Sequence, residues 1–459
     1  MQSNKSGVAR FRERLLPNTL EYGGTIPFYR HHWGLSGQAA PQQLARIPTI
    51  SKRANRRSLE SMRSQDVTPA LLVHSTGTTG DPFIRYRSQS ELDAYSEYVM
   101  ALQKKATAAE APPTRVLSFN AVPRTIHGGA VAGPQISHQL AIDLQSERGI
   151  ANAIGLLSNS TLYVVDGRSP RRILVASPSV LAAFTIACQD RNLDFADFNI
   201  GEIYCVGDAL TPYIKAMLEQ NWHKSTIHDV YSCSEIIGGA SECQACKAFH
   251  FEPIVWPEIL AIDADDPIAE GFGELTLTEL YPFSQIQPFI RYRTGDLVER
   301  IICSLRPDDL AFKPVGRLLG SVIVSGPDER QVVALSAAHA REALEPEVGI
   351  SRQPVIIESP VQSCQYFVGS PRARLEYSQD PTPAINLVVQ ATFNPSLYPT
   401  AARQMEQRIA DRLRDHLKVD GISVHISVAG PHSNLPPLIT RPTRMEVPDS
   451  RGEQSHSAN

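Results

Sequence analysis

The spacing of hydrophobic positions changes character along this chain, and the change divides it. Through the first two-thirds, short unbroken apolar runs alternate with longer mixed stretches. Ile173-Leu174-Val175-Ala176 is such a run and reads as a buried strand. Ser177 and Pro178 follow as a natural N-cap and first-turn proline, which predicts a helix running towards Gln189. Ile203-Tyr204-Cys205-Val206 repeats the pattern as a buried strand ending at Gly207-Asp208. Thr211-Pro212 then opens a helix that reaches about Trp222. Strand, turn, helix and strand in this order make the βα unit of a largely parallel sheet covered by helices.

Beyond Gly326 the texture differs. Met405, Ile409, Leu413 and Leu417 recur every four residues between Ala401 and Leu417, which predicts an amphipathic helix. Ile422, Val424, Ile426 and Val428 then alternate with Ser423, His425 and Ser427, the period of a half-buried strand, and Ile385–Val389 supplies an earlier strand. The expected fold class is α/β. A large N-terminal α/β domain with mixed, mainly parallel sheets spans residues 1–318, and a small C-terminal α+β domain spans 319–447, with the junction between Gly316 and Gly326. Residues 448–459 are polar and read as a disordered tail.

Bulk composition narrows the function classes. A chain of 459 residues exceeds one compact domain, and 42% hydrophobic with 20% charged residues is the balance of a soluble globular protein. A formal charge of -4 gives no basic excess for a nucleic acid polymer. The stretch Met1–Arg14 lacks the apolar core of a secretory signal, and Ile173–Cys188 is too short for a bilayer and broken by Ser177-Pro178. Seven unevenly spaced cysteines argue against a disulfide framework, so a reduced, cytoplasmic protein is expected. Composition says nothing about oligomeric state.

Candidate chemistry begins at His74–Asp81, directly after the apolar run Leu71-Leu72-Val73. Gly77 and Gly80 free the backbone to approach a ligand, and the hydroxyls of Ser75, Thr76, Thr78 and Thr79 join exposed amides, which suits a polyphosphate. An ordinary Ser/Thr/Gly surface turn is the other reading of these residues. No Gly-Lys-Ser/Thr follows, so this is not a Walker loop. A second constellation is Cys243-x2-Cys246-x3-His250, with Cys303 further on. Thiolates and imidazole at such spacings satisfy tetrahedral zinc; reduced thiols and an unrelated histidine are the alternative.

Four signatures occur in order: Ser75–Gly80; Val206-Gly207-Asp208-Ala209-Leu210; Tyr231-Ser232-Cys233-Ser234-Glu235; and Arg291-Tyr292-Arg293-Thr294-Gly295-Asp296 with Gly316-Arg317. The ordered set resembles the adenylate-forming superfamily of acyl-CoA synthetases and adenylation domains. Gln287–Asp296, Tyr231–Gly238 and the opening Leu20-Glu21-Tyr22 with Ile26–Arg30 are similar to its phenylacetate–CoA ligase-like branch. The resemblance spans roughly residues 10–326 and is faint beyond. It implies an AMP-forming ligase that activates a carboxylic acid, aryl or arylacetic by branch, with ATP and Mg²⁺ and transfers the acyl group to coenzyme A or an amine.

By that resemblance Ser75, Thr76, Gly77, Thr78, Thr79 and Gly80 hold the phosphates, and Gly207 and Tyr231 adjoin the nucleotide. Glu235 is the magnesium ligand, in keeping with the ion's preference for one or two carboxylates beside phosphate oxygens. Asp296 accepts from the ribose hydroxyls, as an acceptor-only carboxylate can, and Arg317 stands at the domain junction. His127, Cys233 and Gly238 line the acid pocket by position, and relatives with similarly placed cysteines and histidine support structural zinc on Cys243, Cys246, His250 and Cys303.

Three departures stand out. Asp81 takes the place of the phosphate loop's usual lysine, the junction reads Gly316-Arg317-Leu318-Leu319-Gly320 where Gly-Arg-x-Asp is usual, and the stretch Leu438–Met445 has no catalytic lysine. Arg441 and Arg444 are the cations left to act on the transition-state oxygens, with a different reach from lysine. Two readings therefore stand: an acid-activating enzyme, including amide- or diazo-forming variants, and a nucleotide-binding protein that kept the fold and lost catalysis.

Overall fold

The computed structural model describes residues 6–35, 38–74, 84–106, 114–119, 136–142, 144, 147–159, 171–326, 328–353, 355–358, 363–366, 369–379 and 382–438. Its α/β class agrees with the sequence. An eleven-stranded mixed sheet runs from Val255–Leu260 through Gly271–Glu279, Tyr292–Ile301, Ala311–Arg317, Phe249–Phe251 and Ala240–Glu242. It continues through Thr226–Tyr231, Glu202–Val206, Arg171–Ala176 and Thr114–Phe119 to Ile136–Ile142. The last five strands pair in parallel. From Thr226–Tyr231 outward, pairing turns antiparallel, as it is between Val255–Leu260, Gly271–Glu279 and Tyr292–Ile301. Short turns replace crossover helices there, and only antiparallel strands can be joined so tightly.

The parallel half follows its sequence signals closely. Arg171–Ala176 is a strand, and the helix Pro178–Gln189 starts at N-cap Ser177 with proline in its first turn. Glu202–Val206 and the helix Pro212–Asn221 repeat the unit, with the Thr211 hydroxyl accepting from the Ile214 amide. These helices bury an aromatic cluster in which Trp222 packs edge-on to Phe195 at 4.8 Å and donates its indole N–H to Thr185 Oγ1 at 2.9 Å. A polar indole nitrogen thus has a partner inside an apolar core.

The chain separates into two compact units. One holds Met1–Gly316, Gly326–Val332 and Gln353–Gly369; the other holds Arg317–Ser325, Val333–Arg352 and Ser370–Asn459. In the second unit Ala384–Gln390 pairs in parallel with Ser423–Ala429, and the helix Pro399–His416 makes the crossover. Met405, Ile409 and Leu413 are buried on that helix, while Ser423, His425 and Ser427 are exposed on the strand, as the two periodicities require.

A buried ionic cluster ties together three segments of the first unit. Leu71–His74 pairs antiparallel with Ile84–Arg87, so the Ser75–Gly80 segment connects two strands of a hairpin; the segment itself lies outside the described residues. Arg85 and Arg87, both buried on the returning strand, bind the carboxylate of buried Glu279. Glu279 also accepts from the Ile237 amide at 2.6 Å and the Ser284 hydroxyl at 2.8 Å. Burial alone would raise the Glu279 carboxyl, but the two guanidiniums outweigh it and hold the group below the ordinary glutamate range. Its stabilisation is therefore present above the unfolded pKa and is lost as pH falls through the lower folded value.

Replacing Glu279 by Gln strands two buried guanidiniums. Chemical denaturation at neutral pH is expected to show a loss of about 3–5 kcal/mol, with a narrower gap between variant and wild type in acid.

Candidate active site

The ends of the parallel strands gather the segments singled out by sequence. Gly207 follows Glu202–Val206 with φ +87°, and Cys233 and Glu235 follow Thr226–Tyr231. The segment after Thr114–Phe119 carries His127, which lies outside the described residues. The C-terminal edge of parallel strands is where open α/β sheets place ligands, because loops diverge there and leave a crevice.

Asp296 reaches the same wall from the antiparallel half. The strand Tyr292–Ile301 pairs with Gly271–Glu279, and its register shifts between Glu274 and Thr276, so a bulge accommodates Thr294-Gly295-Asp296. Gly295 has φ +75°, its amide donates to Glu274, and the Asp296 amide donates to Thr294 Oγ1 at 3.0 Å. A bulge re-aims a side chain out of the ladder. Here it delivers the half-buried Asp296 carboxylate to the Tyr231 hydroxyl, which donates to Oδ2 at 2.6 Å.

Glu235 is 5% exposed, not at an open, solvent-reached edge as a nucleotide-site carboxylate suggests. Its Oε1 accepts from the Tyr292 hydroxyl at 3.4 Å and pairs with Lys52 Nζ at 3.4 Å, and its Oε2 accepts from Ser234 at 3.2 Å. Sequence reasoning missed Lys52. The N-terminal arm brings it there: Ile50 donates its amide to the Arg291 carbonyl and accepts from the Arg293 amide, adding a short parallel bridge beside Tyr292. Ser51 then caps the helix Lys52–Arg57 by accepting from the Ala54 amide. Tyr292 thus links the two carboxylates, touching Glu235 and preceding Asp296 on one strand.

Other expected positions are distributed as follows. Gly238 has φ +86°, which strains any other residue, and a Cβ there would stand 3.0 Å from Ile254 Cδ1 and 3.4 Å from Glu252 Oε2, tight enough that these side chains would have to give way. Burial pushes that Glu252 carboxyl up to about 7. Cys233 is half-buried against the apolar cluster of Phe249, Phe251 and Phe312. Arg317 is exposed at the end of Ala311–Arg317 and falls in the second unit. Arg441 and Arg444 lie outside the described residues.

The thiol–imidazole set converges. One donor atom from each of Cys243, Cys246, His250 and Cys303 lies within 4.8 Å of all the others, and Cys246 Sγ stands 3.5 Å from His250 Nε2. Ligands of tetrahedral zinc at ~2.0–2.3 Å from the ion lie at about such separations from one another. The chain turns tightly between the two cysteines and the histidine: Lys247 has φ +53° and donates its amide to the Cys243 carbonyl, and the Cys243 amide donates to Ala248. His250 Nδ1 lies 3.1 Å from Asp309 Oδ2, and Arg12 binds Oδ1 of the same carboxylate at 2.6 Å. A carboxylate on the far ring nitrogen fixes the tautomer that leaves Nε2 for a metal. Four donors with a built outer shell can hold a structural zinc ion. Asp309 has no sequence signal as part of it, standing 59 residues beyond His250.

No protein-family model matches the chain. It is 24% identical over 320 residues to the phenylacetate-coenzyme A ligase of Pseudomonas putida, covering 66% of this chain and 68% of that protein. Its fold is similar to 2-hydroxyisobutyryl-CoA ligase in an open conformation with 2-HIB-AMP and CoA. That match has a TM-score of 0.65 at 14% identity and covers 92% of this chain and 88% of the other. It is also similar to an acyl acid amido synthetase in complex with 2,4-DB, at TM-score 0.54 and 12% identity over 93% and 87% of the two chains. The fold of the adenylate-forming ligases is thereby borne out, as is the likeness to the phenylacetate–CoA ligase branch. Among the described residues, no helix is long and apolar enough to cross a membrane.

Metal analysis of purified protein is expected to find at least one zinc per chain, held by Cys243, Cys246, His250 and Cys303. Asp309→Asn is expected to weaken zinc retention about 10–100-fold against a competing chelator, and Cys243→Ser to abolish it. Zinc-free wild-type protein overturns the assignment.

Proposed function

We propose that this protein activates a carboxylic acid as an acyl-adenylate with ATP and Mg²⁺ and passes the acyl group to coenzyme A or an amine. The observation that carries this reading is the shared wall of Glu235 and Asp296, joined through Tyr292 and Tyr231. Asp296 can accept from ribose hydroxyls, with Tyr231 fixing its orientation. Glu235 would hold magnesium, whose charge would draw the phosphate oxygens towards the acid; Ser75–Gly80 would cradle those phosphates. The likeness to an aryl-acid ligase from Pseudomonas putida supports an aryl or arylacetic substrate in a pocket bordered by His127, Cys233 and Gly238. The likeness in fold to both a CoA ligase and an amido synthetase keeps a thiol and an amine as acceptors.

Adenylation requires two anions, a carboxylate and the α-phosphate, to approach each other. A preorganised cation is needed, and the usual C-terminal lysine is absent from 438–445. Lys52 is a candidate within the first unit: its ammonium lies 3.4 Å from Glu235 on a side chain that is 26% exposed. Arg441 and Arg444 are the other candidates for that cation. Asp81 and the missing lysine favour the alternative of a nucleotide-binding protein without catalysis.

Pyrophosphate release over a panel of aryl and arylacetic acids, with and without coenzyme A or amines, separates these readings. Glu235→Gln is expected to weaken use of Mg²⁺·ATP and Asp296→Ala to weaken ATP binding. Lys52→Met, or Arg441→Ala with Arg444→Ala, is expected to lower kcat by about 10²–10³ with ATP binding nearly intact. Wild-type protein that binds ATP and releases no pyrophosphate with any acid establishes the non-catalytic reading. Unchanged turnover in both carboxylate variants removes the site assignment.

A further inference from the structure

The second unit carries a cluster that the adenylation reading does not use. His339 and Glu342 stand three residues apart on the helix Ala337–Leu344, and His416 is the last residue of the helix Pro399–His416. One ligand atom from each lies within 4.8 Å of the other two, and all three side chains are half-buried. Positions i and i+3 share a helix face, while Ala340, Ala343 and Leu344 of the same helix are buried in the core of the second unit. Ser336 caps the helix by accepting from the His339 amide at 3.2 Å, which fixes the turn that carries the first histidine. Lys418 donates its amide to the Ala334 carbonyl, pinning the end of the second helix beside the start of the first.

We propose that His339, Glu342 and His416 form a second divalent-metal site that clamps these two helices together. The donor set decides the class of ion. Two imidazoles and one carboxylate suit borderline first-row cations such as Zn²⁺, Ni²⁺ and Cu²⁺, whereas Mg²⁺ and Ca²⁺ require oxygen ligands. Three protein ligands leave the remaining positions to water. The imidazoles lie stacked, with centroids 4.8 Å apart and planes 10° apart, so sharing one ion turns at least one ring about its Cβ–Cγ bond. Charges nearby oppose one another: Lys418 disfavours a cation and Asp415 favours one, while Glu345 and Arg341, paired with each other, act on Glu342 in opposite directions. Nothing about this site depends on acid activation, and it is separate from the Cys243–Cys303 thiolates.

Full-length protein, first saturated with one equivalent of Zn²⁺ to occupy the thiolate cluster and then dialysed, is titrated with Ni²⁺ by calorimetry. Wild type is expected to bind one Ni²⁺ that millimolar Mg²⁺ does not displace, and to melt at a higher temperature when loaded. His339→Gln and His416→Gln are each expected to lower that affinity at least about ten-fold, the least that losing even an outer-shell partner costs. Melting curves without metal check that these variants are folded; if either is not, Glu342→Gln gives the same reading on a partly exposed residue. Equal Ni²⁺ binding by wild type and the folded variants overturns the proposal, as does a wild type with no saturable Ni²⁺ site.

Discussion

A single buried carboxylate, Glu279, ties the Ile84–Arg87 strand, the segment after Glu235 and the loop before Arg291 together. An ionised group without solvent persists only if opposite charge and hydrogen bonds surround it, so every partner of Glu279 is fixed by the same requirement. Arg85 and Arg87 bring the strand that returns from the phosphate-loop segment, and the Ile237 amide brings the chain two residues beyond Glu235. Ser284 brings the loop that precedes the Arg291–Asp296 motif, and the Gln287 carbonyl of the same loop accepts from Arg85. The Arg85 guanidinium also lies 4.3 Å over the Phe289 ring, an apolar contact that helps offset its desolvation. The hairpin, the Glu235 segment and the Asp296 strand are thus mutually located before any ligand arrives.

A second layer of arginines does the same for the N-terminal arm. Arg291 is buried in a left-handed conformation at φ +53° and binds Glu258 together with the Ile47 and Asp265 carbonyls. Arg293 binds Glu274, Asp265 and Thr49. These two residues of the Arg-Tyr-Arg-Thr-Gly-Asp signature are anchors rather than phosphate grips: their guanidiniums are spent on the arm and the neighbouring sheet. The arm they hold ends at Ser51 and Lys52, so the cation beside Glu235 is placed by contacts made one strand away. Asn55, three residues further on, accepts from Gln287, whose own carbonyl oxygen receives the Tyr86 amide. The arm and the hairpin therefore share one glutamine.

What the sequence discloses and what it conceals follow from the range of each interaction. Strands Arg171–Ala176 and Glu202–Val206 and their helices were legible because cap, proline and apolar run are all local. The helix Pro399–His416 and the strand Ser423–Ala429 were legible from periodicity alone. The antiparallel half was less legible: Ala240–Glu242 and Phe249–Phe251 are three residues each, and on Gly271–Glu279, where Glu274-Leu275-Thr276-Leu277-Thr278 does alternate, the polar positions are buried as well as the apolar ones. The cysteine–histidine cluster was visible as spacing, whereas Asp309 and Arg12 depend on contacts 59 and 297 residues apart in sequence. Lys52 had no signal, lying in a polar stretch, Ser51–Arg57, rich in exposed bases.

The burial of Glu235 changes how the missing lysine should be understood. A carboxylate only 5% exposed cannot stand unpaired, and in this chain an ammonium from the arm supplies the balance. A lysine carries its charge on a flexible four-carbon stem, so Lys52 can keep a partner at Glu235 and still swing its head over a few ångströms. An arginine in the same position would be bound by its planar fork to one geometry. The stem's freedom is limited at its root, because Ser51 caps the helix that begins with Lys52 and Ile50 is bonded on both sides to the Arg291–Arg293 strand. A rigid base with a mobile charged tip is what a site needs when the same cation must neutralise a resident carboxylate and meet an incoming anion. Under the proposed function, Lys52 is therefore a physically suitable source of that positive charge within the first unit.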